Sequence, residues 1–345
     1  MDKKKLITSL VFIIIVGAVI ISLTVSKKSY AVGTTLVDTV KALNKGSSWS
    51  AGASGVYSTN SHEYRYIGAE VNNYVKFNND LYRIIGVFDS NSHGVSGTEL
   101  VKLIRARSLG GYSWGIYNTD NSAGTYSNYA NNWTGKNIAT KANLNVLFNE
   151  YFYNKTDTSS TYGDCANWTY FSSGNDYKTK DCSDIVNYGI DSSLRGYIET
   201  TTWYLYGSNT NQSKQNWYLC ERGGNSCTSS GSGTGDTSTT SKIGLMYLSD
   251  YLYASGYYSS TDTSTPDQFY FSNKNWLYKG HEWTITPFPT VAYGVWSIVF
   301  GRTSGNDSNN PFASRPTFYL KSSVYVTGGN GSFDNPYTLG CDNCS

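Results

Sequence analysis

Six cysteines, three histidines and one cluster of amide and carboxylate side chains are the groups in this 345-residue chain whose spacing could do chemistry. The cysteines are Cys165, Cys182, Cys220, Cys227, Cys341 and Cys344. An even count in an exported chain reads as disulfides, and proximity suggests Cys165–Cys182, Cys220–Cys227 and Cys341–Cys344, with other pairings open. Cys341-x-x-Cys344 is also a zinc-ligand spacing. It stands alone at the C-terminus with no histidine near, so no metal ligands are assigned. His62, His93 and His281 are isolated. His281 adjoins Glu282, but neighbours on a strand point to opposite faces and make poor acid–base partners. Gly-x-Ser-x-Gly, Ser-x-x-Lys and His-Glu-x-x-His are absent, and no catalytic residues are assigned. The stretch Ser304-Gly-Asn-Asp-Ser-Asn-Asn310 offers Asn306, Asp307, Asn309 and Asn310. Oxygen ligands of that kind suit calcium, the one cofactor considered; a polar turn between strands is the competing reading.

The elements that would carry these groups are mostly strands. Asn73 to Phe77 and Leu81 to Phe88 flank Asn78-Asn79-Asp80 as a hairpin. A third strand spans 98–107, and others are expected at 242–247, 292–301, 316–326 and 333–339, with a turn at Gly328 to Gly331. Leu144, Leu147, Phe148, Tyr151 and Phe152 fall on one stripe of a helix. Residues 32–62 read as a tether, with a short helical stretch followed by Gly/Ser-rich sequence. Residues 155–241 read as a loop-rich insert, with 228–241 low in complexity. No phosphate loop follows a strand, which argues against a doubly wound parallel sheet.

Leu6 to Val25 is a run of 20 uncharged residues, 14 of them Leu, Ile, Val or Phe, between Lys3-Lys4-Lys5 and Lys27-Lys28. As a helix it would span roughly 30 Å, the thickness of a bilayer core. Small residues at Ser29 and Ala31 allow cleavage after Ala31; the length of the run suits a retained anchor. Residues 1–31 are therefore expected to be a signal peptide or a membrane anchor, and the rest to be exported, membrane-anchored at the cell surface or secreted. Formal net charge is +2, but residues 1–31 hold five Lys and one Asp, so the remainder carries 22 basic and 24 acidic side chains, or −2. That balance excludes a nucleic-acid footprint. Tyrosine reaches 31 residues, which suits half-buried strands and binding faces alike.

Four ordered segments carry a resemblance. They are LYRIIGVF (81–88) with VKLIRARSLG (101–110), NLNVLFNEYF (143–152), KIGLMYLSDYLYA (242–254), and EWTITPFP (282–289) closing with RPTFYLKSSV (315–324). They resemble an uncharacterised family of bacterial surface domains that runs from a W-R-I-I-G strand to a W-x-L-R/T-x-P box and a V-R-P-x-L-Y-L ending. This chain departs with Ser314 before Arg315-Pro316, and with Thr284 and Thr286 where many members place Leu and Arg. The order of boxes is similar to C-type-lectin-like domains and to sulfatase-modifying, formylglycine-generating enzymes.

The resemblance implies an α+β fold of lectin-like or sulfatase-modifier-like topology, with strands, two helices and long loops, in one domain over 63–345. It implies structural roles for Trp283, Trp296, Arg315 and Pro316. It also places recognition between the Trp box and the last strand, on Tyr293, Arg302, Asn306, Asp307, Asn309, Asn310 and Phe312. The function expected is binding or adhesion to a glycan or a protein on another surface. The alternative is an extracellular enzyme of formylglycine-generating or hydrolase type.

Overall fold

The structure is a computed structural model that describes residues 33–59, 62–114, 133, 144–155, 168–172, 176–180, 183–224, 227–229, 236–264, 273–289, 291, 294–308 and 310–344. The apolar run 6–25, Cys165, Cys182, Tyr293 and Asn309 lie outside the described residues. Among the described residues no helix is long and apolar enough to cross a membrane. The segment Thr34–Ser345 is one compact unit, a strand-rich α+β fold with short helices and mixed sheets.

Its spine is the strand Asp80–Phe88, whose aromatic and β-branched residues are almost all buried. It turns out of Tyr74–Phe77 through Asn78 and Asn79 at φ 55° and 56°. Asparagine is one of the few L-residues that tolerate the left-handed region, and two such residues in succession make the tight hairpin expected here. One edge of the spine pairs along its length with Leu100–Arg105, which pairs in turn with Thr317–Leu320. The other edge is shared. Tyr74–Phe77 pairs with residues 80–83, and Glu63–Ile67 pairs at Gly86 and Val87. The sheet therefore forks at residues 84–85. Gly86 permits the second branch, because a Cβ there would lie 2.3 Å from the Tyr64 carbonyl oxygen. Tyr337–Gly340 adds parallel to Tyr74–Phe77, and Tyr325–Gly328 and Gly55–Thr59 form the outer edges.

A second sheet runs in the order Arg302–Asp307, Gly294–Val299, Glu282–Pro287, Phe312–Ala313 and Gly111–Tyr112. Both sheets contribute to one hydrophobic core, rich in tryptophan and tyrosine. Buried indoles hand their N–H to backbone carbonyls: Trp283 to Tyr112 at 2.9 Å, Trp296 to Ser208 at 2.7 Å and Trp114 to Thr284 at 3.0 Å.

Several expectations are corrected. Residues 34–59 are not a tether, because Leu36, Val37 and Val40 of the helix Leu36–Ala42 are buried in the core and Gly55–Thr59 joins the main sheet. The domain thus begins near Thr34 rather than at 63. Short helices beyond the expected two occur among the described residues, including Lys214–Glu221 and Leu248–Tyr253. The stripe at 144–152 is buried as expected, but residues Leu147–Tyr153 wind as a π-helix. Residues 242–247 are not a strand; among them only Gly244 bridges, to Thr317. The 316–326 strand is broken into two by the turn after Leu320. The supposed insert contributes Trp203 and Trp217 to the core, and even its low-complexity end pairs, Ser238–Ser241 lying against Thr201–Tyr204.

Candidate binding cleft

The fork in the main sheet is where the chain opens. A cleft of ≈ 730 Å³ lies there, lined by Tyr66 from one branch, Tyr74 from the other and Arg83 from the spine they share. Trp276, Tyr278 and Phe333 supply further aromatic wall, and Lys45, Glu70, Asn72 and Lys279 supply charge and amide. The size and the mix of rings with a few polar groups match a small-molecule or saccharide site.

Each wall is fixed by local structure. Trp276 is pinned by its backbone N–H to the Gly68 carbonyl at 2.9 Å and by its indole N–H to the Tyr66 carbonyl at 2.7 Å. Phe333 rides on the turn after Tyr325–Gly328, and its ring meets Tyr74 edge-on at 5.4 Å. That turn is tied down where the Tyr74 N–H donates to the Gly331 carbonyl at 2.8 Å. Gly331 has φ 78°, and a Cβ there would stand 2.6 Å from the Asn72 carbonyl oxygen, so only glycine brings the turn this close. Phe333 remains 61 % exposed at the rim. Arg83 stands on the floor between two rings, 4.3 Å from the Tyr74 centroid and 4.5 Å from that of Trp276. Its Nε donates to Asn73 Oδ1 at 2.7 Å, Nη1 to the Trp276 carbonyl at 3.1 Å and Nη2 to the Val71 carbonyl at 3.2 Å. Burial, and then Arg315, push the Arg83 guanidinium down to about 10. Burial, Arg83 and Arg315 lower Lys279 as well.

A second polar cluster lies deep in the core. Arg65 bridges Glu63 at 3.0 Å and Asp250 at 2.8 Å, and Lys102 reaches Asp250 at 2.6 Å with its ammonium 4.4 Å from the Tyr247 ring. Full burial raises the Asp250 carboxyl, but Lys102 and Arg65 outweigh it and hold the group below the usual carboxylate range. Burial pushes Lys102 down to about 8. At the edge of this cluster Ser92 Oγ contacts Glu63 and accepts from Arg222 Nη2 at 2.8 Å, beside a cleft of ≈ 700 Å³ lined by Tyr218 and Arg222. The neighbouring imidazole does not serve it. His93 is held by the Phe88 carbonyl at Nε2 (3.1 Å) and by the Val95 N–H at Nδ1 (3.2 Å).

The stretch 302–312, expected as a recognition loop, is instead a strand and its return. Arg302 to Asp307 pairs residue for residue with Val299 to Gly294. Asn306 spends its amide on Ser297 Oγ at 2.7 Å, and Asn310 donates to the Asp307 carbonyl at 3.0 Å. Phe312 packs 4.7 Å from Trp283. Two of the seven residues named for recognition, Tyr293 and Asn309, lie outside the described residues. No group of three or more His, Cys, Asp or Glu side chains converges among the described residues. Arg315 is buried and paired with Glu282 through both oxygens, with Nη2 also 2.7 Å from the Leu277 carbonyl. Pro316 follows it at the start of the strand Thr317–Leu320. Cys220–Cys227 and Cys341–Cys344 are disulfides, with Cα atoms 5.2 and 5.6 Å apart.

Sequence reasoning missed Arg83 and Phe333. The signal for Arg83 was present as a charged residue inside the apolar run Leu81 to Phe88. Phe333, two residues beyond a Gly-rich turn, gave none. Comparisons with family models, curated proteins and solved structures return no match to this chain.

Proposed function

We propose that this chain is an exported cell-surface binding protein, of C-type-lectin-like or sulfatase-modifier-like topology, that recognises a glycan through the aromatic cleft at the sheet fork. The observation that carries this reading is the open wall formed by Tyr74, Tyr278 and Phe333 beside Asn72, Glu70 and two lysines. Aromatic faces cover the apolar patches of a sugar ring at low entropy cost, while amide and charged groups take its hydroxyls. The apolar run 6–25 would carry the protein to the membrane, and the two disulfides suit an oxidising exterior. A glycan array probed with the full-length protein tests the reading. Signal that is lost in Phe333→Ala supports it, and an empty array contradicts it.

A further inference from the structure

Arg83 differs from the other buried arginines. Arg65, Arg105 and Arg315 each face a carboxylate within 3.0 Å. Arg83 is 4 % exposed, and among the described residues its three acceptors are an amide oxygen and two carbonyls, all neutral. Those bonds occupy three of the five N–H groups that a guanidinium carries. A buried cation without a counterion is costly, and an arriving anion relieves that cost through a charge-assisted bond.

Tyr66, which lines the same cleft, carries a second unsatisfied group. The Tyr66 hydroxyl is buried and has no hydrogen-bond partner among the described residues. A buried hydroxyl left unpaired in a cleft is a donor waiting for a ligand acceptor. The rim adds charge of the same sense. Lys45 and Lys279 join Arg83 against the single carboxylate Glu70, in a chain whose exported part is close to neutral. Local positive potential in a cleft with low-dielectric walls selects anionic ligands.

Resting on the glycan reading above, we infer that the cleft is specific for an acidic glycan, whose carboxylate is met by the Arg83 guanidinium and the Tyr66 hydroxyl while the sugar ring lies against Tyr74 and Phe333. A planar fork matches a carboxylate, and the sandwich between Tyr74 and Trp276 fixes the plane of that fork before the ligand arrives.

The test is titration of the full-length protein with oligogalacturonate, hyaluronan oligosaccharide and sialyllactose, each beside its carboxyl-methylated form. At least one acid should bind, with its methyl ester about tenfold weaker or more, a loss of the size expected for a charge-assisted bond. Arg83→Gln removes the central cation but touches the core. Tyr66→Phe and Lys279→Gln therefore carry the argument, because they should fold normally and weaken the acid several-fold. Equal affinity for acid and ester would overturn the inference and leave the glycan reading standing. Acid binding that is unmoved by Tyr66→Phe and by Lys279→Gln would also overturn it. If no saccharide binds in either form, both readings fall together.

Discussion

At the scale of single residues, the chain places cations inside strands and then finds each a partner. Arg315 and Glu282 are the clearest pair, both buried and joined through two oxygens. Arg315→Ala would leave the Glu282 carboxylate without its partner in the core. It should cost about 3–5 kcal/mol in urea denaturation, while Arg315→Met with Glu282→Leu should recover most of that loss. His93 sets a pH dependence. Its Nε2 donates to the Phe88 carbonyl and its Nδ1 accepts from the Val95 N–H, so the ring is held neutral, and burial lowers its pKa. Unfolded histidine takes a proton near 6.5. Below that pH the unfolded state therefore binds more protons than the folded one, and stability must fall as pH drops. Melting temperature followed from pH 7.5 to 5 should decline, and His93→Gln should flatten the decline. In the sequence, Arg83, Lys102 and Arg105 were visible as charges in apolar runs. Their partners were not, since Trp276 lies 193 residues from Arg83 and Asp250 lies 148 from Lys102.

At the scale of elements, the hairpin at Asn78-Asn79 and the strand Leu100–Arg105 were legible because turn chemistry and β-branched runs are local signals. The fork was not legible, because it depends on one edge of Asp80–Phe88 changing partners midway. Gly86 is the residue that permits the change. Gly86→Ala pushes a Cβ against the Tyr64 carbonyl and should destabilise the protein by on the order of 2 kcal/mol. Chemical denaturation reads the loss, and an unchanged midpoint would mean that the branch is loosely held. The stretch 302–312 is a strand and its return rather than a loop for a related reason. A run of Ser, Asn and Asp reads as a turn by composition, yet Arg302–Asp307 alternates between the two faces of a strand pair and is fixed by its partner Gly294–Val299. The π-helical winding of Leu147–Tyr153 is equally silent in sequence, since its buried stripe also fits an α-helix.

At the scale of the whole molecule, Gly, Ser and Thr in the expected tether and insert do not mark solvent-exposed chain. Here they flank Leu36, Val40, Trp203 and Trp217, which are core residues. The disulfides tie down segments near the surface of that core. Alkylation of the unreduced protein should leave Cys220, Cys227, Cys341 and Cys344 unlabelled, and labelling of any of them would contradict the pairing.

Titration of the strongest array glycan against the wild-type protein and Phe333→Ala is the sharpest probe of the cleft at the sheet fork. Phe333 is mostly exposed, so its loss should move stability by less than about 0.5 kcal/mol. Binding should weaken by about tenfold, the share of one stacking aromatic. Unchanged affinity in a folded Phe333→Ala protein would contradict the placement of the site.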